Sequence, residues 1–153
     1  MSGPAARLAE LGLTLPTVPT PLAAYVPAVR TGSLVYTSGQ LPLVDGTLAQ
    51  VGKVGAEVSV EDAAACARVA ALNALAAVAA ELGDLDSVAR VLRVVVYVAS
   101  APDFTAQPAV ANGASELLGH VFGEAGRHAR SAVGVTALPL DAPVEVEIVV
   151  EVA

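Results

Sequence analysis

Apolar and acidic residues alternate near the C-terminus: Val144, Val146, Ile148 and Val150 fall on one side of an extended backbone, Glu145, Glu147 and Glu151 on the other. A period of two is that of a strand with one face in a core, so a strand is predicted over 144–150. The run from Val88 to Ala99 is different, because apart from Arg90, Arg93 and Tyr97 both of its sides are apolar. That pattern predicts an interior strand covered on each face. Strands are also predicted over 25–29 and 34–38, as a hairpin around Thr31-Gly32-Ser33, and over 131–138. Asp45-Gly46 marks a further turn, and 49–58, with Gly52 and Gly55, reads as a loop.

Two longer segments carry helical spacing. Ser59 is a good N-cap, Glu61 and Asp62 favour the exposed amides of a first turn, and Gly83 supplies a stop. Between them Val69, Leu72, Leu75, Ala76, Ala79 and Leu82 form an apolar stripe in an alanine-rich helix that can approach its neighbours closely. A second helix is predicted from Pro108 to Val121, with Leu117, Leu118 and Val121 inward. A short helix is expected within 1–13, followed by a proline-rich linker over 14–24. The order βββαβαββ, or a close variant, predicts an α+β domain: a mostly antiparallel or mixed sheet with two main helices on one face. The opposite face then needs cover, which predicts self-association.

Composition sharpens that expectation. Apolar residues make up 55% of the 153 positions and charged ones only 15%, against about 25% in an average domain. The uncharged stretches 14–29 and 69–80 fall short of a spanning helix, and the N-terminus lacks the apolar centre of a secretory signal. The expectation is therefore no membrane and a cytoplasmic chain. One cysteine, Cys66, cannot make an internal disulfide. A net charge of −7 with eight Lys and Arg argues against a nucleic-acid partner.

Several chemistries fail on spacing. Gly46 and Gly52-Lys53 miss the phosphate-loop spacing by one residue, and Val54 stands where Ser or Thr would hold magnesium. No dinucleotide fingerprint occurs, and neither a cofactor nor a metal is expected. Cys66 shares a helical face with Val69 and Ala70 and reads as a packed thiol. Asn73 reads as a fixer of backbone, while His120 and His128 lack metal-ligand spacing. The segment Gly126-Arg-His-Ala-Arg-Ser131 gathers two of the eight basic residues just before a strand. Arg130 there suits either a carboxylate clamp or an ordinary surface pair. If the last two strands made a hairpin about Asp141, Arg130 would lie opposite roughly Glu151, so spacing does not pair it with Glu145.

The stretches Tyr25-Val-Pro-Ala-Val29, Thr37-Ser-Gly-Gln-Leu-Pro42, Ala101-Pro-Asp-Phe104, Ala129-Arg-Ser-Ala-Val133, Leu138-Pro139 and Val144-Glu-Val-Glu147 occur in the order seen in one family. Together they resemble the RidA (YjgF/YER057c/UK114) superfamily. The N-terminal extension 1–24 and the long stretch 105–129 resemble its longer, chorismate-mutase-like branch. The resemblance implies one domain over 1–153, a homotrimer with sheets lining a central barrel, and clefts at subunit boundaries. It also implies cofactor-independent hydrolysis of reactive enamines and imines to 2-oxo acids and ammonia. In that scheme Arg130 clamps a substrate carboxylate, Glu145 positions or activates water and Tyr25 shapes the pocket. Ser38, Gly39, the backbone of Ala132, Asn112 and Ser115 would contact substrate. Two departures stand out: Ala132 replaces the usual cysteine, and Ser115 the aromatic expected three residues after Asn112. The alternative is a small-carboxylate-binding or regulatory trimer without turnover. Endoribonuclease action, also attached to the family, is disfavoured by the acidic charge.

Overall fold

The alternation at the C-terminus places the longest clean strand in the middle of a sheet. In the computed structural model, which describes residues 2–153, β7 (Val144–Val152) is buried at every second residue. Its antiparallel neighbours are β2 (Leu34–Thr37) and the apolar β5 (Val88–Ala99). Strand β1 (Ala28–Thr31) pairs with β2, and β6 (Ala129–Val135) with β5, in the order β1-β2-β7-β5-β6. A separate small hairpin, β3 (Leu43–Val44) and β4 (Thr47–Leu48), turns at Asp45-Gly46 as its sequence predicts.

Among the described residues three α-helices complete the fold: α1 (Pro4–Glu10), α2 (Val60–Leu82) and α3 (Gln107–Phe122). The Ser59 hydroxyl caps α2 by accepting from the Asp62 amide at 3.1 Å, and Gly83 ends it at φ 94°. By length and apolarity α2 could cross a membrane, yet its Ala67, Ala70, Ala71, Ala74, Leu75 and Val78 are spent in the core. Helices α2 and α3 pack on one another at Gly113, where a Cβ would collide with the Ala64 carbonyl of α2. Val146, Ile148 and Val150 of β7 and Val94, Val96 and Val98 of β5 meet the helices from the sheet. Among the described residues the other sheet face has no helix and exposes Val29 at 53%, Tyr36 at 47% and Val133 at 42%.

Two strand boundaries need correction, and the last two strands pair otherwise than in a simple hairpin. The first strand starts at Ala28, so Tyr25 lies before it in an irregular segment; Pro27 has no amide to offer a ladder at that point. The last two strands are not a hairpin. β6 runs parallel to β5, a pairing that the helical crossover through α3 makes possible, and β5 lies between β6 and β7. The sheet is therefore mixed. Strand β6 itself ends at Val135, short of the predicted Leu138.

Candidate functional site

Register decides where the two charged candidates point. Val94 of β5 stands beside both Arg130 of β6 and Ile148 of β7, and Ile148 faces the helices. Arg130 therefore leaves the sheet on its helical side. Glu145 is paired with Tyr97, an odd number of residues along β5 from Val94, and so leaves by the open side. Two inter-strand spacings and three residues separate the pair, about 14 Å between Cα atoms. Within one chain Arg130 and Glu145 do not share a pocket.

On the helical side, α3 receives the arginine. Arg130 Nη1 donates to Asn112 Oδ1 at 2.8 Å and to Ser115 Oγ at 3.2 Å, so both hydrogens of that nitrogen are used. Asn112 and Ser115 are one turn apart on the helix, which is why one guanidinium corner reaches both. Ser115 Oγ also lies 2.9 Å from His128 Nε2, and His128 Nδ1 lies 2.6 Å from the Gly126 carbonyl. Nε and Nη2 of Arg130 have no protein partner among the described residues. They are the parallel donor pair that a carboxylate accepts from side-on. Ala132 follows on the same face, half-buried against the core.

The open side carries Glu145, Gly39, Ser38 and Tyr25. Glu145 is half-buried and packs on the bare Cα of Gly39, where a side chain would overlap its carboxylate. Burial, and secondarily the neighbouring Glu147 charge, raises the Glu145 carboxyl above the ordinary glutamate value. Glu147 accepts a 2.7 Å hydrogen bond from the Tyr97 hydroxyl, which is itself raised, first by that bond and then by burial. Ser38 donates to the Val26 carbonyl at 2.6 Å, and its amide donates to that of Pro27 at 2.8 Å. These bonds hold the strap that presents Tyr25, exposed at 59%, over a shallow depression lined by Val29 and Ser38.

The structure thus gathers the predicted residues into two groups: Arg130, Asn112, Ser115 and Ala132 by α3, and Tyr25, Ser38, Gly39 and Glu145 at the end of β7. Sequence reasoning missed His128 and the pair Tyr97–Glu147. The signal for Tyr97 was the one phenol in a strand apolar but for Arg90 and Arg93, and for Glu147 its place two residues after Glu145 on the polar face. Other residues are structural. Asn73 Nδ2 donates to the carbonyls of Leu41 and Leu43 at 2.9 and 3.0 Å, fixing the entry to β3. Cys66 is buried, and burial, helped by Asp62, pushes its thiol up to about 11. At pH 8 a disulfide reagent should leave folded protein untouched and react once denaturant is added; rapid labelling without denaturant would contradict that packing.

A family profile described as "YjgF/chorismate_mutase-like, putative endoribonuclease" matches residues 5–152. Protein TCP17 of Trypanosoma cruzi is 48% identical over 148 residues, covering 96% of this chain and 92% of its own. The crystal structure of Atu1372 from Agrobacterium tumefaciens, described as of unknown function, superposes with a TM-score of 0.92 at 47% identity, covering 98% of this chain and 92% of that one. Escherichia coli TdcF with bound serine superposes with a TM-score of 0.63 at 25% identity, over 89% of this chain and 94% of that one.

Proposed function

Because the chain belongs to the YjgF/chorismate mutase-like family, we propose that it hydrolyses 2-imino acids, and the enamines that tautomerise to them, to 2-oxo acids and ammonia. The observation that carries the reading is Arg130, ordered by α3 at Nη1 and left with an unpaired side-on donor pair. Such a fork suits the carboxylate of a small acid. TdcF with bound serine supports the same class, since serine presents a carboxylate and a nitrogen on the adjacent carbon.

The second requirement is a group that moves protons. A protonated imine carbon is already electrophilic, so hydrolysis needs a water placed against it and a site for one proton. Water adds to the C=N carbon while Glu145 takes its proton, then returns it to nitrogen. The Glu145 carboxylate, free again, then takes the remaining hydroxyl proton as the C=O bond forms and C–N breaks, and that proton leaves with the ammonia as ammonium. A carboxyl held above its ordinary value by burial suits this shuttling.

Since Arg130 and Glu145 leave opposite faces of one sheet, the reading places the site between copies: Arg130 with Asn112, Ser115 and Ala132 from one chain, and Glu145, Gly39, Ser38 and Tyr25 from another. The bare apolar sheet face around Val29, Tyr36 and Val133 supports a homotrimer closed on that face. Endoribonuclease action is not favoured, because a net charge of −7 repels a phosphate backbone.

The test is an assay in which 2-imino acids of differing side chain are generated in situ and their loss is followed with and without the protein. Accelerated loss supports the reading. If 2-oxo acids bind while no imine is turned over, the protein is the carboxylate-binding trimer instead. A pH profile adds a check on Glu145. Glu147→Gln removes a like charge that helps raise its carboxyl, so the protonated form should persist over a narrower acidic range. Acting as base, Glu145 must be ionised, and the acidic limb of kcat/KM should shift to lower pH in Glu147→Gln. A limb that stays in place would remove Glu145 from that role.

A further inference from the structure

The hydrogens in the chain of contacts behind Arg130 can each be assigned. The Gly126 carbonyl can only accept, so His128 Nδ1, 2.6 Å away, carries a proton. In the neutral ring Nε2 is then bare and accepts from Ser115, 2.9 Å away. The only hydroxyl hydrogen of Ser115 is thereby committed to His128, and its lone pairs are turned to Arg130 Nη1 at 3.2 Å. Asn112 Oδ1 takes the other Nη1 hydrogen. The base of the chain is rigid for a steric reason: a Cβ on Gly126 would overlap the Leu118 carbonyl, so this glycine sits directly on α3 and holds its own carbonyl beneath the imidazole.

We infer that Ser115 and His128 are positioning residues that lock Arg130 by its Nη1 corner, so that a ligand carboxylate is gripped only side-on, by Nε and Nη2. The inference rests on the carboxylate-binding reading of Arg130 above, and it adds what determines the geometry of that grip. A guanidinium without the lock can rotate and offer its Nη1–Nη2 end instead, which points a bound acid in a different direction. Side-on capture fixes the carboxylate plane relative to β6, and with it the direction of the α-carbon. Ser115 must accept from arginine and donate to histidine at once. Alanine can do neither, and threonine keeps the hydroxyl but adds a methyl group.

Two replacements of His128 separate the halves of its role. The amide of glutamine reaches to about the place of Nε2 and can accept from Ser115. That of asparagine reaches only the place of Nδ1, where it can donate to Gly126. The lock therefore predicts that His128→Gln keeps the affinity for a 2-oxo acid and that His128→Asn weakens it.

The experiment uses the full chain and 2-oxobutyrate as probe, with titration calorimetry at pH 8 and a long-range proton–nitrogen spectrum of the histidine rings. Ser115→Ala and His128→Asn should each weaken binding roughly five-fold, the equivalent of one hydrogen bond, while His128→Gln stays within about two-fold of the wild type. His128 in the wild type should appear as the tautomer protonated at Nδ1. The Nε2-protonated tautomer would overturn the lock on unaltered protein, whatever the variants do. Equal affinities for the glutamine and asparagine variants, or an unweakened Ser115→Ala, would also overturn it. If the wild type binds no 2-oxo acid, the functional reading and the grip built on it both fail, while the tautomer still reports separately on the hydrogen-bond chain.

Discussion

Arg130→Ala is expected to lower kcat/KM for 2-imino acids at least about a hundred-fold, equivalent to a loss of roughly 3–5 kcal/mol, with the fold intact. The size follows from what is removed: a charge-assisted pair of hydrogen bonds to the substrate carboxylate, which aims the imine carbon as well as binding the acid. The fold should survive because Arg130 is only half-buried and its partner Asn112 is exposed, so water can replace the lost donor. Arg130→Lys separates charge from geometry. It keeps the cation, and its ammonium has donors for Asn112 and Ser115, but no side-on fork is left for the ligand, and a loss of about ten-fold is expected. Thermal melts of both variants should stay close to the wild type. Wild-type turnover by Arg130→Ala would remove the residue from the site.

The largest stability effect is expected at a glycine in α3. Gly113→Ala adds a methyl group where the Ala64 carbonyl of α2 already stands, and a backbone oxygen cannot swing aside as a side chain would. The helices must part, which costs about 1–3 kcal/mol or more by overpacking, against a gain of roughly 0.5–1 kcal/mol in helix propensity. A net loss of about 2 kcal/mol should lower Tm by roughly 4–8 °C. Gly119 on the same helix is the control, since nothing lies within 4 Å of its added Cβ. Gly119→Ala should therefore stabilise by roughly 0.5–1 kcal/mol. Opposite signs for one substitution in one helix would isolate the interhelical contact; stabilisation by both would mean that α2 and α3 do not touch at Gly113. Because Asn112 is the next residue, Gly113→Ala should also weaken 2-oxo acid binding.

Much of the architecture was legible because its causes are local. Ser59, Asp62 and Gly83 act within a turn of their own helix, and both ends of α2 fall where they predict. The Asp45-Gly46 turn closes its hairpin through left-handed φ values of 50° and 81° at adjoining residues. Asn73 was readable as a backbone fixer because a half-buried amide on an apolar helix needs partners, although its acceptors, Leu41 and Leu43, lie some thirty residues away. The start of β1 was less legible, since 25–29 is as apolar as a strand and only the hydrogen bonds from Ser38 show that its first half is a strap.

The buried face of β7 follows from its residues alone, because a side-chain period of two leaves no freedom once one face must be buried. The residues likewise determine the extent of α2 and the presence of a sheet with helices on one side. Which strands are neighbours is settled by the packing of the whole chain. The crossover through α3 sets β6 parallel to β5 and puts β5 between β6 and β7, so Arg130 faces the helices and Glu145 the open side. No local pattern carries that choice, because residues of similar apolarity fit a hairpin or a crossover equally well. The same crossover brings Asn112, Ser115 and His128 to Arg130, through contacts that depend on how a helix lies across a sheet edge and not on spacing along the chain.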